Sequence, residues 1–87
     1  MNITLPTIHL NGTSARALAE DYTNAYLAIN TAMEAMKKIE FHSRDYYPVE
    51  GSWRKAEAEM HERYVKLNQV KCELAAIAEH AADHIKS

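Results

Sequence analysis

Between residues 42 and 47 the chain gathers an imidazole, a guanidinium, a carboxylate and two phenols, supplied by His42, Arg44, Asp45, Tyr46 and Tyr47. Arg44 presents a planar fork that can grip a phosphate or carboxylate through two hydrogen bonds. Tyr46 and Tyr47 offer flat faces on which a base can stack, with hydroxyls to orient it. A turn needs only two or three of Gly, Asn or Asp. The excess of long polar and aromatic side chains therefore reads as a recognition surface. The competing structural reading is that Arg44 pairs with Asp45, one tyrosine plugs the end of the fold, and Tyr47-Pro48 leads into a helix with Ser52 as its N-cap.

A second cluster, His9-Leu10-Asn11-Gly12-Thr13-Ser14, runs from an extended segment through a glycine turn into a helix beginning near Ser14. Asn11, Thr13 and Ser14 can accept hydrogen bonds from the free amides of the first helical turn, and Gly12 permits a backbone conformation that other residues avoid. One reading is a helix cap. The same free amides and the positive end of the helix dipole also attract phosphate or carboxylate, with Arg16 adding charge. The segment matches neither the G-x-x-x-x-G-K-[ST] phosphate loop nor the G-x-G-x-x-G dinucleotide fingerprint.

The remaining candidates are weaker. His80 and His84, four residues apart beside Glu79 and Asp83, could hold a divalent ion, but no H-E-x-x-H pattern accompanies them and they read as a solvated helix end. His61, among Glu57, Glu62 and Arg63, has no nucleophile nearby to activate. Cys72 reads as a small interior or interface residue. With no carboxylate pair, Cys–His arrangement or Gly-rich elbow, the chain is expected not to be an enzyme and to need neither metal nor cofactor.

The helix-breaking residues Pro6, Gly12, Pro48 and Gly51 divide the chain into a strip over 1–12, a helix over 14–40, a connector over 41–52 and a helix over 53–85. In the first helix Leu18, Tyr22, Ala25, Ile29, Ala32, Met36 and Ile39 recur at heptad spacing. In the second, the stripe comprises Trp53, Ala56, Met60, Tyr64, Leu67, Val70, Leu74, Ile77, Ala81 and Ile85. This predicts an all-α fold, an antiparallel two-helix hairpin with a short extended N-terminal segment. Tyr26, Met33, Met60 and Tyr64 widen the apolar faces beyond what one partner covers, so a dimer or larger closed oligomer is expected. The strip, with Ile3, Leu5, Ile8 and Leu10, either packs along its own hairpin or adds an edge strand to a neighbouring subunit.

The 87 residues, with Lys+Arg 10 against Asp+Glu 12, make one small domain. The charge balance offers no pull toward duplex nucleic acid. A single cysteine excludes an internal disulfide and any cysteine-built zinc site. There is no membrane-length apolar run and no basic region leading into an apolar stretch, so a cytoplasmic, membrane-free protein is expected.

The words His9-Leu10-Asn11-Gly12-Thr13-Ser14 and Ser43-Arg44-Asp45-Tyr46-Tyr47-Pro48, followed by His61-Glu62-Arg63 and the Leu67, Val70, Leu74, Ile77 stripe, resemble a group of short bacteriophage and prophage proteins. In that group the connector more often reads Asn-Gly-Arg-Asp-Tyr-Tyr, from which Phe41-His42-Ser43 departs. In size and architecture the chain is also similar to phage anti-defence proteins that assemble from helical hairpins and sequester cyclic-nucleotide immune signals. That resemblance implies a phage protein in the cytoplasm of the infected bacterium. It would hold a nucleotide-like anion at a subunit boundary through Asn11, Gly12, Thr13, Ser14, Arg16, His42, Arg44, Tyr46 and Tyr47. Within one hairpin these two groups sit about 40 Å apart, so only an antiparallel neighbour joins them. The other functional class is a protein–protein inhibitor or adaptor that docks on a host defence protein through Tyr46, Tyr47 and Trp53.

Overall fold

The computed structural model describes residues 2–85, which contain helix α1 (Ala15–Lys37), a single 3-10 turn (Ser43–Asp45) and helix α2 (Ser52–Ala82). The helices pack as an antiparallel hairpin of 61 × 24 × 16 Å, one helix layer thick. No helix among the described residues is long and apolar enough to cross a membrane.

Helix α1 begins where Ser14, in an extended conformation, accepts a hydrogen bond from the Ala17 amide at 3.1 Å. It ends three residues before the expected 40. The amides of Lys38 and Ile39 turn to the carbonyls of Ala35 and Met36, each at 3.1 Å, tightening the last turn. That releases Phe41 to pack against Trp53 and Tyr46, with ring centroids 4.8 and 5.8 Å away. Glu34, hydrogen-bonded to Lys37 at 3.2 Å, holds that ammonium's pKa above its ordinary value.

At the start of α2 the expected Ser52 cap is corrected. Gly51 occupies the N-cap position at φ 79, left-handed backbone that a side-chain-bearing residue adopts only with strain. Ser52 is already helical, and its hydroxyl donates to the Tyr46 carbonyl at 2.8 Å, tying the connector to the helix. Gly12, by contrast, has no positive φ, so the conformational role expected of it is not required. Its smallness serves the His9 ring, which lies 2.8 Å from where a Cβ would stand.

The core stripe is also corrected. The buried residues of α1 are Ala15, Ala19 and Met33, facing Ala56, Ala78 and Ala81 of α2. From the expected heptad, Leu18, Tyr22, Ala25, Ile29 and Met36 are half-buried, whereas Ala32 and Ile39 are exposed. Met33, placed on the uncovered side by its sequence spacing, is only 6% exposed. The Tyr64 hydroxyl donates to the Met33 carbonyl at 3.1 Å, and Tyr26, Met60 and Tyr64 are half-buried. Tyr26, Met33 and Tyr64 thus take part in the contact between the helices, and Met60 lines a groove beside it. The physical reason is depth: one residue turns a helix by about 100°, and Met33 fills the interhelix space that Ala32 leaves empty.

On α2 the expected stripe is buried or half-buried throughout except at Val70, where Lys71 turns toward α1 instead. Its ammonium donates to Asn30 Oδ1 at 3.4 Å and sits 5.8 Å from the Tyr26 ring centroid, while Val70 is 43% exposed. Cys72, expected inside or at an interface, is exposed on this chain.

The N-terminal strip pairs with no strand among the described residues. It follows its own hairpin, because His80 Nε2–H donates to the Pro6 carbonyl at 2.8 Å and Ile3, Pro6 and Ile8 are half-buried. His80 is thus a tether and not the solvated side chain its position suggested.

Candidate ligand-binding site

The antiparallel arrangement returns the end of α2 to the start of α1, where the strip also arrives. The three segments enclose a 550 Å³ pocket lined by Ile8, His9, Leu10, Ser14, Ala15, Arg16, His84 and Ile85. Two of the residues singled out by sequence, Ser14 and Arg16, stand here. Asn11, Gly12 and Thr13 form the adjoining exposed turn, closed by the Gly12 amide donating to the His9 carbonyl at 3.2 Å. Ser14 is committed to capping: its Oγ takes the Ala17 amide and its carbonyl takes the Leu18 amide at 3.0 Å. The amides of Ala15 and Arg16 have no partner among the described residues and lie at the pocket, with the positive end of the α1 dipole behind them.

His84, in sequence a weak divalent-ion candidate with His80 on a solvated helix end, lies at this pocket. Its Nδ1–H donates to the His80 carbonyl at 2.8 Å, Nε2 has no hydrogen-bond partner among the described residues, and the His80 and His84 rings lie 4.7 Å apart. His9 joins from the strip. His84 was not legible as a pocket residue from its local sequence, since it arrives through chain reversal; His9 opens the second sequence cluster, but no ligand role was read for it there. The signal that finds them is topological: residues just before a first helix meet residues just after a second one in any hairpin. Among the described residues no group of His, Cys, Asp and Glu is arranged to hold a metal ion.

At the opposite end, the connector divides its aromatic residues. Tyr46 packs with Phe41 and Trp53, its ring centroid 5.7 Å from that of Trp53, and so plugs the end of the hairpin. Tyr47 is 79% exposed, and His42 and Arg44 are exposed beside it. No Arg44–Asp45 ion pair forms among the described residues, so the guanidinium is free to meet a ligand. The structure therefore gathers Ser14 and Arg16 at one end and His42, Arg44 and Tyr47 at the other, and a single chain does not bring the two sets together.

A 480 Å³ groove runs along α2 near the connector, with Phe41, Met60, Tyr64 and Val65 as its apolar floor and Glu57, His61 and Asn68 at its rim. No family model, no curated protein and no solved structure matches this chain.

Proposed function

We propose that this chain is a binding module that sequesters a nucleotide-like anion without cleaving it, acting as a phage anti-defence protein against a cyclic-nucleotide immune signal. The observation that carries this reading is the composition of the 550 Å³ pocket. Two helix-end amides without a partner among the described residues, together with Arg16, His9 and His84, line a volume in the range of small-molecule sites. Ile8, Leu10 and Ile85 supply apolar wall for a base or sugar. The one hydroxyl in the lining, Ser14 Oγ, is committed to its cap bond with the Ala17 amide, which suits capture rather than hydrolysis.

Calorimetry of the full chain against cyclic di- and trinucleotides and cyclic ADP-ribose products tests the reading. Arg16→Ala, at an exposed position, removes a charge-assisted hydrogen bond of about 1.5–3 kcal/mol, a loss of roughly ten- to a hundredfold in affinity. Binding of none of these ligands, or equal binding by Arg16→Ala, refutes it. The second reading, an inhibitor or adaptor on a defence protein, draws on the apolar groove of Phe41, Met60, Tyr64 and Val65. It is favoured if only a protein target, and no nucleotide, raises the melting temperature.

A further inference from the structure

The chain exposes 6835 Å², whereas a compact monomer of its 9.9 kDa exposes about 5,200 Å². The surplus is about twice the roughly 800 Å² that each partner buries in a standard protein interface. The source of the surplus is the single-layer shape. It coincides with a second apolar strip along α1, formed by Leu18, Ala25, Ala28, Ala32 and Ala35 and continued just past the end of the helix by Ile39, which the hairpin core does not consume. Ala28, Ala32 and Ala35 are exposed, Leu18 and Ala25 are half-buried, and Ile39 is 52% exposed. Ala32 precedes the core residue Met33 by one position, so the strip lies about 100° around α1 from the core. A helix in a four-helix bundle meets its two neighbours at about that angle and needs two apolar seams.

The strip is matched to itself. A two-fold axis between Ala28 and Ile29 sets Leu18 against Ile39 of the partner subunit and Ala25 against Ala32 of the partner subunit. The small residues then meet near the axis, where two helices cross closest, and the large ones meet at the splayed ends. Asp21 is the only charged side chain within the strip. We infer that a second copy of this chain packs antiparallel on α1 through this seam, so that each connector lies beside the partner's Ser14–Arg16 pocket.

The ends of the molecule agree with that partner. Among the described residues the three most exposed large apolar side chains are Leu10 at 103%, Tyr47 at 79% and Val49 at 66%. Leu10 stands at the pocket end and the other two at the connector end, too far apart to shield one another in one chain. Antiparallel pairing brings Leu10 of each subunit to Tyr47 and Val49 of the other. The same pairing carries Arg44 and Tyr47 to the partner's Arg16, making two composite sites per dimer. Only this last step rests on the ligand proposed above; the seam stands without it.

The seam is tested without ligand, by light-scattering mass of the full chain at micromolar concentration, beside helicity from circular dichroism. The native chain is expected at two chains or an even multiple. Ala25→Lys should fall to the 9.9 kDa monomer with helicity unchanged, because the position is on the helix surface. Ala25→Lys combined with Ala32→Glu should restore the native mass, since each lysine then meets a glutamate of the partner subunit. Leu27→Glu, on the polar side of α1, should leave the mass native. A monomeric native chain, an Ala25→Lys variant of native mass, or a double variant that stays monomeric overturns the seam. A native dimer that binds no nucleotide leaves the seam in place and removes only the proposed ligand.

Discussion

Replacing Met33 with alanine probes the corrected core directly. Met33 is 6% exposed and, among the described residues, is the only large side chain that is buried; the other five buried residues are alanines. Burying a methionine side chain contributes about 1.5–3 kcal/mol, and truncating one in a closed core costs about 2–5 kcal/mol because a cavity remains. This hairpin is a single layer with a smallest dimension of 16 Å, so water and neighbouring side chains can reach the space and the cavity contribution is small. The expected loss for Met33→Ala is therefore about 2–3 kcal/mol. Against the roughly 4–13 kcal/mol expected for a domain of this length, that is a large share. Urea unfolding followed by circular dichroism measures it, with Leu27→Ala as the comparison. Leu27 is 51% exposed, and its truncation should change stability by no more than about 0.5 kcal/mol. Because the Met33 contact lies within one chain, the loss should be the same at two protein concentrations. A loss below about 1 kcal/mol, or one equal to that of Leu27→Ala, refutes the placement of the core.

Gly51→Ala should destabilise the protein by about 1–2 kcal/mol through backbone strain alone, since no atom lies within 4 Å of the added Cβ at φ 79. Gly51→Asn should cost less, and equal stability of all three chains in urea would contradict the left-handed cap. Arg44→Ala should weaken nucleotide binding about ten- to a hundredfold in calorimetry with little change in folding, because its side chain is exposed and unpaired among the described residues. Tyr47→Ala should cost about 1–3 kcal/mol in the same assay if its ring stacks on a base. Tyr46→Ala should instead lower the melting temperature, because that ring packs on Phe41 and Trp53.

The number of helices and their reversal were legible because four helix-breaking residues fall at the boundaries and the apolar spacing between them is helical. The face of α1 was harder to read than that of α2, whose expected stripe is buried or half-buried except at Val70. In α1 two adjacent heptad stripes share Tyr22, Ile29 and Met36, and hydrophobic bulk at Leu18 and Ile39 favoured the one the hairpin does not use. Choosing between them requires knowing that alanines can line a close helix contact and that Tyr64 reaches the Met33 carbonyl. Lys71 was hidden for a related reason: a charged residue enters the stripe only because its long stem covers Tyr26 while its head finds Asn30. At the candidate site Ser14 and Arg16 were legible from cap chemistry. His9 and His84 were not, since nothing in their local sequence records which distant segment they meet.

The bond from His80 to the Pro6 carbonyl joins positions 74 apart in sequence, and this has a consequence for the order of assembly. Closing so long a loop in an unfolded chain carries a large entropic penalty for one hydrogen bond. Once α1 and α2 have paired, the pocket residues Ala15 and Ile85 are already neighbours, and the strip has only to fold back from the start of α1. Docking of the strip is therefore conditional on the hairpin and comes last as the protein folds. By the same logic it is the first element to let go, opening the pocket wall formed by Ile8, His9 and Leu10 while the helices stay paired.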